Sequence, residues 1–288
     1  MIRKIRYSDI DFEKYSACLE SSVQKNWYAR REVLDELSGN WHILVLNDYE
    51  AVMPVSIKKK LGVNLVSMPL FCQQLGVFSK KDFPEINERF LQFLNKYYIV
   101  FFYSFNDKNA FFLPLKRRKN YVVGNTDYSI LRRQKYFKGR KSTVKCSQHL
   151  LYRELCDFRE VLSFIQSHFK GLSKKNDFEK LVRYLDFLRE HQSLQCCGAY
   201  QGEQLINVAL IVTEPDQLSL LALINDDAYK KENGASFLID KILHTHIHEK
   251  SFNFMGSNLR GIEIFFKSFG AELHEYCYTE NRFLKRFV

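Results

Sequence analysis

No apolar run in this chain approaches the roughly 20 residues needed to span a bilayer. That excludes a helical membrane protein. The opening stretch, MIRKIRYSDIDFEK, carries charge with no apolar segment behind it, so no secretory signal is expected. The seven cysteines are odd in number and scattered, without a C-x-x-C pair. Cys196 and Cys197 are neighbours in an expected strand, where their side chains face opposite ways. Reduced thiols in a cytoplasmic protein follow. Cys72 reads as a buried thiol, because a nucleophile needs a paired histidine that sequence cannot place. There is no H-E-x-x-H either. Of His244, His246 and His248 only the first and last share a helical face, so solvated histidines and no metal are expected.

Acid is nearly absent from one segment. Between Lys116 and Lys145 there are eleven basic residues and a single acid, Asp127. The remainder of the chain balances, so the whole net charge of +10 sits in that segment. Such a focus attracts anions: the phosphates of a nucleotide-linked substrate or other anionic small molecule, a tRNA, or an acidic membrane surface touched peripherally. A solvated linker face is the plainer alternative. Arg132, Arg133, Lys138, Arg140 and Lys141 are the candidate anion-binding residues, with Gln134 to Ser147 expected as a helix bearing Lys138, Lys141 and Lys145 on one side.

What is abundant is apolar and aromatic material, 46% and 15% of 288 residues, enough for a substantial core in one large domain or two ordinary ones. Two parts of the chain share a layout. WHILVL, AVMPVSIK and VNLVSMPL, separated by turns at Asn47-Asp48 and Lys60-Leu61-Gly62, precede a helix from about Pro84 and the strand YIVFFYSF. LQCCGAY, LINVALIVT and LSLLALI, with turns at Gly202-Glu203 and Glu214-Pro215-Asp216, precede a helix from about Gly234 and the strand FNFM. The β assignments rest on β-branched and aromatic runs bounded by turn residues. The helix from Gly234 shows an apolar stripe at Leu238, Ile239, Ile242, Leu243 and Ile247. Helices are also expected before each meander, at Phe12 to Ser22, Arg31 to Leu37, Phe158 to Phe169 and Asp177 to Glu190.

The stretch SFNFMGSNLRGIEIFFKSFGAELHEY, Ser251 to Tyr276, reads as a strand (Phe252 to Met255), a Gly-Ser-Asn turn, a helix entered near Arg260, and a strand from Glu272. Gly256 suits a sharp turn or close approach to a ligand. Ser257 and Asn258 are natural N-caps. Lys267 interrupts an apolar run and shares a helix face with Glu263, so a surface ion pair is the competing explanation for it. This order, ending in F-K-x-F-G-A, resembles the last quarter of the FemABX-like branch of the GNAT acyltransferase superfamily. The basic helix similarly resembles the R/K-x-x-x-K element with which such proteins enter their second domain.

The resemblance implies an α/β fold with mixed sheets: two tandem GNAT-like modules, residues 1–125 and 126–288, the second binding the donor. It implies that the chain is a bacterial-type transferase moving an acyl or aminoacyl group from acyl-CoA or aminoacyl-tRNA to an amine, with no permanently bound cofactor. By the same analogy Lys267 stabilises developing charge, and Ser257 and Asn258 orient the substrate. Asn233, Gly234, Ala235 and Ser236, opening a helix, together with Gly256, would hold the donor's anionic group. The superfamily's Q/R-x-x-G-x-G/A loop is missing, since KKENGAS keeps only Gly-Ala. That departure sets a second function beside the first: a non-catalytic anion- or RNA-binding protein retaining the fold.

Overall fold

The computed structural model describes residues 1–60, 62–172 and 175–281. It divides into two compact units, Met1–Arg118 with the segment from Glu275, and Lys119–His274. In the first unit the chain forms β1 (Ile2–Arg6), α1 (Phe12–Glu20), α2 (Arg31–Ser38), β2 (Trp41–Leu46), β3 (Ala51–Lys60), β4 (Val63–Ser67), β5 (Phe78–Ser79), α3 (Pro84–Tyr97) and β6 (Ile99–Ser104). β1 to β4 pair antiparallel in succession, and β6 returns parallel to β4. The turn expected at Lys60-Leu61-Gly62 joins β3 to β4, and its Leu61 lies outside the described residues.

Onward run β7 (Lys116–Val123), α4 (Tyr128–Ile130), a π-helical turn over Leu131–Lys135, α5 (Lys138–Cys146) and β8 (Leu151–Glu154). Then come α6 (Phe158–His168), α7 (Lys175–Glu190), β9 (Leu194–Gln201), β10 (Gln204–Thr213), β11 (Gln217–Asn225), α8 (Gly234–His246), β12 (Ser251–Asn253), α9 (Arg260–Lys267) and β13 (Glu272–Glu280). In the second unit β8 to β11 are antiparallel, β12 lies parallel to β11, and β7 closes on β12. Each unit therefore contains two helices, a three-stranded meander, a helix, and a strand parallel to the last meander strand. This is a mixed α/β fold.

Burial explains why alternation along these strands is weak. All but the ends of β10 are inaccessible, as expected of a strand covered on both faces. The stripe of α8 is fully used: Leu238, Ile239, Ile242, Leu243 and Ile247 are at most 1% exposed and join Cys197, Ala199, Ile206, Ala209 and Ile211 of the sheet in one core. Covering a side chain of this size stabilises by about 1.5–3 kcal/mol, so α8 is held chiefly by this stripe.

Two local features prepare the second unit for a site. β10 carries a bulge at Leu210/Ile211. The β11–β12 ladder covers only Gln217–Ser219 against Ser251–Asn253. Beyond that point β12 stays bonded on its other side, where the Phe254 N–H donates to the Tyr121 carbonyl at 2.9 Å. The two parallel strands thus part at Leu220 and Phe254.

Candidate functional site

The candidate residues of the second unit fall into separate groups, around Arg140, around Glu263, and around Arg132 and Arg133. Asn233 is left-handed (φ 60°) and its carbonyl accepts from both Ser236 and Phe237 N–H. Gly234 and Ala235 are left as the open backbone donors of α8 among the described residues. Gly234 has a structural reason to be glycine: a Cβ there would sit 1.7 Å from Asn207 Oδ1.

Arg140 reaches this helix start from α5. Its guanidinium donates to Ser236 Oγ and, at 2.8 Å, to Ser268 Oγ, both serines being buried. It lies 4.5 and 4.6 Å from the ring centroids of Phe265 and Phe269. Burial draws its pKa down, and among the described residues it has no carboxylate partner. A half-buried cation without a counter-ion, set beside the positive end of a helix dipole, is an arrangement that favours a bound anion.

Lys267 ends α9 and is drawn into a cluster around Glu263. Glu263 Oε1 accepts from Tyr121 Oη at 2.5 Å, Lys119 Nζ at 2.9 Å and Lys267 Nζ at 3.0 Å. Those bonds, the Tyr121 phenol's first, hold the Glu263 carboxyl down to about 2. The Lys267 ammonium also stands 5.6 Å from the Tyr121 ring centroid. Two ammonium groups share one carboxylate, so the cluster keeps one positive charge, and Lys267, 42% exposed, is held rather than loose.

Ser257 and Asn258 do not cap α9 as the sequence suggests. The N-cap position is Leu259, without a side-chain cap. Ser257 Oγ accepts from Leu259 N–H at 2.9 Å, and Asn258 Oδ1 accepts from Lys119 N–H at 3.4 Å. The strand expected through Met255 stops at Asn253, because Met255 and Gly256 both take positive φ, 60° and 76°. Asn253 Oδ1 receives the Met255 N–H at 2.8 Å and fixes that bend.

The basic segment separates into two classes. Lys116, Arg117, Lys119 and Lys135 meet Glu280, Glu275, Glu263 and Glu272. Arg132, Arg133 and Lys141 line one open depression with Tyr128 and Ser129. Lys138 is exposed at the start of α5, and the helix expected from Gln134 is broken at Tyr136 and Phe137, which are extended. The histidines disperse: His244 packs edge-on to Tyr128, and His248 meets Glu249. Burial holds the Cys72 thiol far above its usual range.

No family model and no curated protein matches the sequence. Solved structures do match the fold. FemX superposes over 99% of both chains with a TM-score of 0.64 at 10% identity. A conserved protein of unknown function from Bacteroides thetaiotaomicron aligns over 96% of this chain and 100% of its own, with a TM-score of 0.57 at 10% identity. A tandem GNAT protein from the clavulanic acid biosynthesis pathway aligns over 97% and 98%, with a TM-score of 0.56 at 8% identity. The resemblance read from Ser251 to Tyr276 holds at the level of the whole architecture: the chain has the FemX-like, tandem GNAT fold.

Proposed function

We propose that the protein is an acyltransferase whose second unit binds a donor with an anionic group and passes its acyl or aminoacyl moiety to an amine. The observation that carries this is Arg140: a half-buried guanidinium with no carboxylate partner among the described residues, beside Ser236 at the start of α8. The donor's phosphate would bind there, with Gly234 and Ala235 N–H groups adding to the guanidinium. The acyl arm would lie along the parted strands near Leu220 and Phe254. The amine nitrogen attacks the acyl carbonyl carbon, a C–N bond forms, and the C–S or C–O bond to the carrier breaks. The amine's proton leaves to the departing sulfur or oxygen, or to water. Lys267, aimed by Glu263, supplies positive charge near that carbonyl, and positioning does the rest.

A specific observation also favours the non-catalytic reading. Lys267 is tied to Glu263 in an i,i+4 pair of the kind found on ordinary helix surfaces. One set of measurements separates the two. Thermal shift with acetyl-CoA, longer acyl-CoAs, and charged and uncharged tRNA should raise the melting temperature with one donor, and Arg140→Lys should remove that shift. Transfer of the acyl group to amines should then fall by about 10²–10³ in Lys267→Ala. Donor binding with no transfer under any acceptor would leave the binding protein standing and the enzyme refuted.

A further inference from the structure

The second unit carries another concentration of unmatched positive charge, away from Arg140. Asp127 caps the turn Tyr128–Ile130, and its carboxylate accepts from the Ser129 hydroxyl and, at 3.0 Å, the Ile130 N–H. The chain then enters the π turn, closed by Tyr136 N–H on the Leu131 carbonyl at 3.2 Å. Phe137 N–H leaves the helix altogether and donates to the Ser268 carbonyl at 3.0 Å. The interruption turns the Arg133 carbonyl outward, where Lys141 Nζ from α5 donates to it at 2.7 Å. Two arginines on one side of a break and a lysine on the other are thereby brought to the same depression, of about 350 Å³. Short π turns of this kind recur at functional sites.

The wall behind them is fixed. Tyr128 Oη donates to the buried Asp240 carboxylate of α8 at 2.7 Å, and its ring meets Tyr136 and His244 edge-on. Asp127 is the only acid of the segment; its Oδ1 is engaged within the turn, and its charge offsets part of that of Arg133, so the three cations keep a positive excess. Arg132, Arg133 and Lys141 have no ion-pair partner among the described residues, whereas four other cations of the same basic segment do. Lys138 and Lys145 extend the charge along α5, at i−3 and i+4 from Lys141.

We infer that Arg132, Arg133 and Lys141, framed by Tyr128 and Ser129, form a phosphate-binding subsite separate from the Arg140 position. Planar guanidinium forks match phosphate oxygens, and Lys141 is already aimed by the Arg133 carbonyl. The depression is open, so it grips one phosphate while the remainder of the ligand lies outside. That phosphate belongs either to a small phosphorylated compound or to the phosphodiester of an oligonucleotide. The subsite does not depend on acyl transfer.

The test is titration of the full chain with inorganic pyrophosphate and, separately, with a short single-stranded oligoribonucleotide. Arg133 is exposed, so Arg133→Glu leaves folding unchanged, as circular dichroism will report. It should weaken binding about tenfold or more, as should Arg132→Ala combined with Arg133→Ala. Wild-type binding should also weaken as salt is added. Loss for both probes, or for pyrophosphate alone, supports the subsite and assigns a free phosphate group. Loss for the oligonucleotide alone supports it and assigns a phosphodiester. Unchanged affinity of Arg133→Glu for both probes, or no wild-type binding of either, overturns the proposal. The loss caused by Arg133→Glu should be the same in an Arg140→Lys background as in the parent, which keeps the outcome apart from that of the donor site.

Discussion

Glu263 supplies one carboxylate to two ammonium groups and a phenol, and this sharing decides what Lys267 can do. A lone lysine on the outer face of α9 would sample many rotamers. The carboxylate limits it to one region near the Tyr121 ring. The carboxyl's folded value, about 2 against an ordinary 4.5, gives the pH dependence its sign. A depressed carboxyl stabilises the fold above its unfolded value, and that contribution disappears as pH falls from about 4.5 through 2. Glu263→Gln should therefore be less stable than the parent in urea denaturation at neutral pH. The gap should close progressively below pH 4.5. A gap that stays constant down to acid pH would show that the ion cluster is not its source. The Glu263–Lys267 pair was legible from i,i+4 spacing, but Lys119 and Tyr121 were not. They stand 144 and 142 positions away in sequence, and no local pattern announces such a meeting.

At the scale of the element, the start of α8 was readable because Asn-Gly precedes a complete apolar stripe. The same holds for α3 with its leading proline. β1, β7 and β8 were not foreseen: IRKIR, KRRKNYVV and LYRE are charged strands, and their signal reads as charge rather than as β structure. The α5 helix was placed, but not the break before it, since extended Tyr136 and Phe137 are stabilised by tertiary contacts with Phe269 and Ser268. Gly234 shows how a residue chosen for one reason is present for another. It was singled out as a phosphate-loop glycine, yet Asn207 Oδ1 fills the space of its Cβ. Gly234→Ala should destabilise by about 1–3 kcal/mol through overpacking, and Asn207→Ala in the same chain should recover part of the loss. The check is a double-mutant cycle. If the two changes are strictly additive, the contact is not what demands glycine.

For the whole molecule, the meander, helix and parallel-strand scheme occurs twice, and the order of β-branched and aromatic runs, turns and helix revealed both copies. What it could not reveal is which strand completes each copy, because pairing between distant segments leaves no local trace. β7 reaches β12 through Val122 and Val123. The end of β13 reaches β6, pairing Tyr278, Thr279 and Glu280 with Ser104, Tyr103 and Phe102, and Cys277 accepts the Phe105 N–H at 2.9 Å. Lys116 bonds the mostly buried Glu280 side chain at 2.7 Å in the same unit. A chain ending at His274 would retain the sequence of the second unit while stripping β6 of this ladder and removing the buried Tyr276 ring. Loss of a buried aromatic alone costs about 3–5 kcal/mol, and an uncovered strand edge invites association. The truncated chain should therefore melt in two steps by calorimetry, the first at lower temperature than the parent's transition. Limited proteolysis should cut within residues 1–118 before 119–274. A single transition at the parent's temperature, with both segments equally protected, would mean that β6 does not need the C-terminal strand.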